Sequence, residues 1–191
     1  MSTQGTHSAR TDVELAWLSD GPEGKENGPT GLFWLGGFMS DMTGTKAQVL
    51  ADLALKTGRN CIRFDYSGHG ASGGAFRDAT ISKWLDETVQ MFTTHAPGRR
   101  IVIGSSMGGW LALLLARHLT AQGLPDAGRI VGMVLIAPAA DMTQELMWNS
   151  YDAEIRQKIE QQGYFDQPSE YSAEPYTITR DLIEDGRLHL I

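Results

Sequence analysis

The sequence predicts an α/β fold, in which a mostly parallel sheet carries helices on both faces. Apolar segments at 31–35, 60–64, 101–103 and 130–137 lack polar alternation, which is typical of strands buried on both sides. Segments with a helical spacing of apolar residues separate these strands. Each strand is therefore expected to run in the same direction as the last, with a right-handed helical crossover between them.

The elements alternate regularly along the chain. The predicted strands lie at 13–18, 31–35, 60–64, 101–103 and 130–137, and the predicted helices at 45–57, 81–92 and 107–121. The first helix ends at Gly58, and Val49, Leu50 and Leu53 are expected to form its inner face. The third helix is apolar on nearly every face.

The chain divides into three parts. Residues 1–11 are polar and predict a disordered tail, and residues 12–140 predict the α/β core. Residues 141–191 predict a helical segment like a cap, and then a crossover helix. Because a crossover helix needs a strand to return to, we expect the C-terminal part of the fold to be missing. The strand at 130–137 would then be an uncovered apolar edge and an aggregation site.

Composition narrows the class of partner. The 191 residues carry a formal net charge of −7, which argues against a nucleic acid or an anionic membrane. We expect a small-molecule or acylated substrate, and no metal or organic cofactor. Cys61 lies in an apolar stretch and is expected to be an inert core thiol. With no transmembrane segment and no visible targeting peptide, the cytoplasm is the expected location.

The pattern Gly-x-Ser-x-Gly occurs twice, at 70–74 and at 104–108. A nucleophile elbow requires a strand that enters and a helix that leaves a strained turn, with small residues two positions to either side of the serine. Ser106 has this setting, with Gly104 and Gly108 beside it, whereas Ser72 lies in a glycine-rich loop. We predict Ser106 as the nucleophile. The alternative is a tight turn that merely contains serine.

Two backbone N–H groups are candidates for an oxyanion hole. Attack by a serine on a carbonyl builds negative charge on oxygen, and each such donor can contribute about 10²–10³ in rate. The N–H of Met107, at the start of a helix, is the first candidate. The N–H of Phe38 is the second, because Gly36 and Gly37 let the backbone approach a substrate. An ordinary turn is the alternative for these two glycines.

Three blocks of the sequence resemble the α/β-hydrolase superfamily, and within it the acyl-protein thioesterases and esterases. They read LGGFMSDMTGTKA at 35–47, NCIRFDYSGHGASGG at 60–74 and IVIGSSMGGWLALLLA at 101–116. The resemblance implies an α/β-hydrolase fold, Ser106 as the nucleophile, and Phe38 and Met107 as oxyanion donors. Gly36 is a mild departure, since relatives commonly have another small or polar residue there.

The resemblance also implies a catalytic Asp and His beyond position 191. Among the histidines present, His69 follows a strand at the edge where the site opens, so it is a candidate base, although a rim loop explains it equally well. Asp141 follows a strand end, but capping the next helix explains it as well. Loss of a triad member costs about 10⁴–10⁶ in turnover, so the 191-residue chain is expected to be nearly inactive.

The sequence therefore predicts a hydrolase of carboxylic esters or acyl thioesters that acts through an acyl-enzyme on Ser106. The alternative is a noncatalytic protein that keeps the hydrolase fold for binding. Five methionines fall in segments expected near the mouth of the site, namely Met39, Met42, Met107, Met142 and Met147. They suggest an acyl pocket, and ordinary core packing is the alternative.

Overall fold

A six-stranded sheet is the centre of the computed structural model, which describes residues 2–8, 13–168 and 175–191. Its strands are β1 Ser2–Ser8, β2 Glu14–Asp20, β3 Gly31–Leu35, β4 Cys61–Phe64, β5 Arg100–Ser105 and β6 Ile130–Ile136. They lie in the order β1-β2-β4-β3-β5-β6. Strands β4, β3, β5 and β6 are parallel, and β1 and β2 are antiparallel to their neighbours. The predicted mostly parallel sheet is confirmed.

Helices cover both faces of the sheet. Those of the core are α1 Thr45–Thr57, α2 Ile81–His95 and α3 Met107–Ala121, with short 3₁₀ turns at Phe76–Asp78 and Pro125–Arg129. Helix α1 packs on one face, where the buried residues include Leu32, Trp34 and Cys61. Helices α2 and α3 cover the other face, which holds the larger core. Cys61 is buried, as expected, and burial raises the pKa of its thiol to about 12.

The inner face of α1 differs from the prediction at two of its three residues, since Leu50 packs against the core as predicted but the others do not. Val49 and Leu53 are 60% and 47% exposed, and the buried residues of α1 are Ala47, Ala51 and Ala54. The alanines share one face of the helix, since they stand four and three residues apart. Small side chains there let the helix lie close to β3 and β4, so the larger apolar residues point outward.

The N-terminal residues were predicted to be a disordered tail, which is wrong for residues 2–8. They form β1, which pairs antiparallel with the whole of β2. The pairing depends on backbone hydrogen bonds, which a polar segment such as STQGTHS can make without any apolar pattern. The rest of the predicted tail, residues 1 and 9–11, lies outside the described residues.

The segment after β6 is less helical than predicted. Its helical parts are a π turn at Thr143–Met147, a 3₁₀ turn at Trp148–Ser150, α4 Ala153–Gln162, α5 Arg180–Gly186 and a 3₁₀ turn at Arg187–His189. Between α4 and α5, two short strands, β7 Tyr164–Gln167 and β8 Tyr176–Thr179, pair antiparallel. The predicted all-helical segment is therefore wrong at this point, because strands of four residues carry too little pattern to be recognised.

Strand β6 is an exposed edge of the sheet among the described strands. Val131 and Val134 are 42% and 48% exposed, although the strand is apolar. The predicted uncovered edge is confirmed, and the aggregation that it favours remains a prediction. Among the residues that the structure describes, no helix is long and apolar enough to cross a membrane.

Candidate active site

Ser106 stands at the sharp turn between β5 and α3. Its backbone has φ 53° and ψ −122°, a conformation that costs a residue with a side chain free energy and is found mainly where function demands it. The Ser106 N–H donates to the Ile136 carbonyl at 3.0 Å, and the Ser106 carbonyl accepts from the Ala139 N–H at 3.0 Å. The end of β6 therefore holds the turn on both sides.

Two glycines make this turn possible. A Cβ on Gly104 would overlap the Gly108 carbonyl, and a Cβ on Gly108 would overlap the carbonyls of Leu35 and Gly36. Both positions thus require close contact between backbones. The predicted requirement for small residues two positions either side of Ser106 is explained by these contacts.

The turn at residues 37–40 lies directly against Ser106. A Cβ on Gly37 would lie 3.3 Å from the Ser106 Cβ. The Gly37 carbonyl accepts from the Ser40 N–H at 3.2 Å and from the Ser40 hydroxyl at 2.7 Å, so the peptide between Gly37 and Phe38 is held firmly. We call residues 37–40 the oxyanion turn, since Phe38 is the second predicted donor.

The backbone N–H groups of Phe38 and Met107, the two predicted oxyanion donors, are free to bind a substrate oxygen. The Phe38 N–H makes no hydrogen bond within the described residues, and Met107 is the first residue of α3, where an N–H has no intrahelical partner. The structure thus brings Gly36, Gly37, Phe38, Ser106 and Met107 together at the carboxyl ends of β3 and β5. An anionic oxygen is a suitable ligand for such N–H groups at a helix N-terminus.

A groove of about 320 Å³ adjoins Ser106. Its lining includes Phe38, Ser40, Asp41 and Lys46, together with Ser105 and Ser106. The Ser106 hydroxyl has no hydrogen-bond partner in residues 2–8, 13–168 and 175–191, and it is half-buried. No described side chain therefore acts as its base in this conformation.

His69, the candidate base, is engaged elsewhere. Its Nε2 accepts a hydrogen bond from the Met39 N–H at 3.2 Å, so its Nδ1 carries the proton and donates to the Ser67 carbonyl at 3.2 Å. Burial lowers the pKa of His69 below its usual 6.5, and the Ser67 carbonyl only partly opposes this effect. With both ring nitrogens bonded, His69 is not a base for Ser106.

The other candidates are also accounted for. His7 and His95 hydrogen-bond each other, and His189 hydrogen-bonds Ser82. Asp141 accepts from the Ile191 N–H at 3.1 Å, and its side chain caps no helix, contrary to that alternative. Ser72 donates to the Asp65 carbonyl and accepts from the Ala16 N–H, so its hydroxyl is used in holding a loop.

Asp65 connects two loops, a role that the sequence analysis did not predict. It directly follows β4, and its carboxylate accepts from the Met42 N–H at 2.6 Å and from the Ala71 N–H at 2.9 Å. Burial raises the pKa of Asp65, whereas the two N–H groups act to lower it. The position of an aspartate at the end of a parallel strand was the signal that could have revealed it.

A second cavity, of about 260 Å³, lies beneath the segment that follows β6. Phe38 lines both this cavity and the groove at Ser106. Two of the five methionines, Met142 and Met147, line the cavity together with Leu146, Tyr151, Tyr176 and Ile178. Met42 and Met107 are buried in the core and do not line the cavity.

In the part of the chain that the structure describes, no cluster of three or more His, Cys, Asp or Glu could hold a metal.

Residues 27–186 match the alpha/beta hydrolase family. The chain is 34% identical over 162 residues to the human protein named palmitoyl-protein thioesterase ABHD10, mitochondrial, and 33% identical over 164 residues to its bovine counterpart. These alignments cover 84% of the chain and 50% of each relative. The chain thus spans about half the length of these relatives.

Solved structures agree with this match. A hydrolase-fold protein from Agrobacterium vitis S4 is 43% identical, with a TM-score of 0.87 over 100% of this chain and 72% of its own. Alpha/beta hydrolase domain-containing protein 10 from mouse is 27% identical, with a TM-score of 0.79 over 99% of this chain and 71% of its own. Est1E from Butyrivibrio proteoclasticus, solved with ferulic acid, shares the fold at 19% identity and a TM-score of 0.71.

Proposed function

Because the chain belongs to the alpha/beta hydrolase family, we propose that it is a serine hydrolase that cleaves carboxylic esters or acyl thioesters through an acyl-enzyme on Ser106. The observation that carries the proposal is the strained backbone of Ser106, between Gly104 and Gly108, with the Phe38 and Met107 N–H groups beside it. A tight turn with an ordinary serine would need neither the strain nor the free donors.

The proposed reaction has two steps. The Ser106 Oγ attacks the acyl carbon and gives its proton to a base from solution, and the carbonyl oxygen becomes an oxyanion that accepts from the Phe38 and Met107 N–H groups. The oxyanion collapses, the alcohol or thiol leaves with a proton, and the acyl group stays on Ser106. Water then releases the carboxylic acid by the same route and restores the hydroxyl.

The names of the mammalian relatives favour a thioester with a long acyl chain, and the cavity beside Phe38 is consistent with that class. Apolar side chains and a few polar groups line it, as in sites that bind an alkyl chain. Met142 and Met147 are adaptable side chains of the kind that pack against flexible apolar ligands. We therefore assign the acyl chain to this cavity, which shares Phe38 as a lining residue with the groove at Ser106.

A base supplied from solution tests the proposal. Because no described residue takes the Ser106 proton, p-nitrophenyl ester turnover is expected to be slow, about 10⁴–10⁶ below that of a complete triad. Free imidazole should accelerate turnover by the wild-type chain more than turnover by Ser106→Ala. Ser106→Ala also corrects for direct attack by imidazole on the ester. Equal rates for both proteins at every imidazole concentration would contradict the proposal.

Leu146 offers a test of the acyl cavity. It lines the cavity yet is 59% exposed, so Leu146→Asp should leave the fold intact and place a charge at the cavity mouth. We expect about a tenfold loss of kcat/KM for long-chain acyl esters, and little change for acetyl esters, because only the long chain would be brought near the charge. Leu55→Asp, on an exposed face of α1, is the matched control. Equal losses for long and short chains would contradict this assignment.

A noncatalytic binding protein is the second candidate, and the absence of a described base for Ser106 favours it. Such a protein would bind an acylated ligand in the same cavity and leave it uncleaved. The two candidates differ in covalent chemistry, since only the hydrolase forms an adduct on Ser106.

The cytoplasmic location also remains a prediction, because the mammalian relatives are named mitochondrial. Subcellular fractionation of the source cells would test it.

A further inference from the structure

Gly37 leaves the direction of the Phe38 N–H open to rotation. This N–H belongs to the peptide that joins Gly37 to Phe38, and the orientation of that peptide depends on ψ of Gly37 and φ of Phe38. Glycine has no Cβ and therefore permits a wide range of backbone angles. The residue before the donor thus sets no steric limit on where the donor points.

The close approach to Ser106 keeps a side chain out of position 37. A Cβ there would lie 3.3 Å from the Ser105 carbonyl oxygen and 3.3 Å from the Ser106 Cβ. Both distances are shorter than ordinary van der Waals contact, so a side chain would push the oxyanion turn away from the nucleophile. Because a larger residue at this position cannot restrict the rotation, hydrogen bonds to the peptide must do so.

Ser40 makes the hydrogen bonds that restrict this rotation. Its N–H donates to the Gly37 carbonyl at 3.2 Å, the long end of the usual range for an N–H donor. Its hydroxyl donates to the same oxygen at 2.7 Å, the usual length for an O–H donor. Within the described residues, the Gly37 carbonyl has no other hydrogen-bond partner. The shorter of the two bonds therefore comes from the side chain.

The backbone of Met39 makes this side-chain bond more important. Met39 lies inside the turn with φ 56°, and left-handed backbone is unfavourable for a residue with a side chain. A third to a half of β-turns lack the bond between their first and fourth residues. A strained turn with one long backbone bond opens more readily, and the Ser40 hydroxyl supplies a second bond that opposes the opening.

The carbonyl and the N–H of one peptide move together. The peptide group is planar and trans, so its C=O and N–H point in opposite directions. A hydrogen bond that fixes the Gly37 carbonyl therefore also fixes the Phe38 N–H on the other side of the peptide. A bond at the carbonyl also polarises the peptide, which strengthens its N–H as a donor. Ser40 thus acts on both the direction and the strength of the Phe38 donor.

We propose that the Ser40 hydroxyl positions the Phe38 N–H of the oxyanion hole by holding the Gly37 carbonyl. This role rests on the proposed function, because the oxyanion forms only if Ser106 attacks an acyl carbon. In this role Ser40 touches no reacting atom, so it is a positioning residue that acts through the peptide. Ser40 is exposed at the groove beside Ser106, so its substitution should leave the fold intact.

The test compares labelling of Ser106 by a fluorophosphonate in the presence of imidazole. Ser40→Ala removes the hydroxyl but keeps the backbone N–H, and we expect labelling about 3- to 10-fold slower, the effect of one hydrogen bond. Ser40→Thr keeps the hydroxyl and should label nearly as fast as the wild type. The loss should lie in the maximal rate and not in the half-saturating concentration, because the developing charge appears only during the reaction.

Thr43→Ala is the matched control. Thr43 is also exposed, and its hydroxyl bonds the Asp41 carboxylate without contacting the peptide that carries the donor. It should label at the wild-type rate. The proposal would be overturned by a Ser40→Ala protein that labels like wild type, by an equal loss in Thr43→Ala, or by a Ser40→Thr as slow as Ser40→Ala. A loss confined to the half-saturating concentration would also overturn it, since the hydroxyl would then contact the reagent directly.

The ¹⁵N chemical shift of the Phe38 amide separates this proposal from the proposed function, because it requires no reaction at Ser106. A hydrogen bond to the Gly37 carbonyl deshields the nitrogen of the same peptide. Ser40→Ala should therefore move the Phe38 signal upfield, whereas Ser40→Thr and Thr43→Ala should leave it in place. An unchanged signal in Ser40→Ala would reject the positioning role whatever the labelling rates. The expected change in a protein whose Ser106 takes no label would contradict the proposed function alone.

Discussion

Gly108→Ala is expected to destabilise the fold and disable the site at once. The new Cβ would overlap the carbonyls of Leu35 and Gly36, so α3 must move away from the end of β3. Overpacking against backbone costs about 3 kcal/mol of the free energy of unfolding. The same movement would displace the Met107 N–H from the Phe38 N–H, and a misplacement of about 1 Å costs about 100-fold in rate.

Urea unfolding and the rate of fluorophosphonate labelling would measure the two effects of Gly108→Ala. Gly128→Ala is the matched control, because a Cβ there meets no atom within 4 Å and the residue is exposed. We expect the control to change stability by less than about 0.5 kcal/mol. A Gly108→Ala protein with the stability and the labelling rate of Gly128→Ala would contradict the close backbone packing described at the elbow.

Arg63→Met is expected to produce the second large effect, on stability. The guanidinium of Arg63 lies 2.7 Å from the Asp20 carboxylate, with side chains 5% and 2% exposed, and it also donates to the Met42 carbonyl at 2.6 Å. Removing one partner of a buried pair leaves an unpaired buried charge, which costs about 3–5 kcal/mol. The Met42 carbonyl would lose its donor as well.

Thermal or urea unfolding at pH 7 would measure the Arg63→Met loss. Lys158→Met removes the exposed pair with Glu154 and should have a much smaller effect, because solvent screens that pair. The Asp20→Asn, Arg63→Met double variant should be more stable than Arg63→Met alone, since it no longer buries a charge without a partner. A loss of less than about 1 kcal/mol for Arg63→Met would contradict the buried pair.

Sequence reasoning succeeded where local geometry decides the outcome. The strand at β5, the two glycines, Ser106 and the helix that starts at Met107 are neighbours in sequence, so their pattern predicts the elbow directly. The parallel core strands were also predictable, because burial on both faces removes polar alternation. In a long apolar element such as α3, the pattern of residues is clear enough to predict where the helix begins and ends.

The sequence did not predict those features that depend on strand pairing or packing between residues distant in the chain. Strand β1 is polar and is defined by its hydrogen bonds to β2, which no periodicity reveals. The buried face of α1 consists of alanines, and the larger Val49 and Leu53 outweighed them in the apolar pattern. The contact between His69 and Met39 joins residues 30 positions apart, so only the structure relates them.

The most direct test of Ser106 as the nucleophile is the intact mass of the protein after treatment with a fluorophosphonate in the presence of imidazole, which supplies the base that the described residues lack. We expect one adduct on the wild-type chain, the same adduct on Ser72→Ala, and none on Ser106→Ala. A wild-type chain that takes no adduct, or an adduct that persists in Ser106→Ala, would contradict the assignment of Ser106 as the nucleophile and would favour the noncatalytic binding protein.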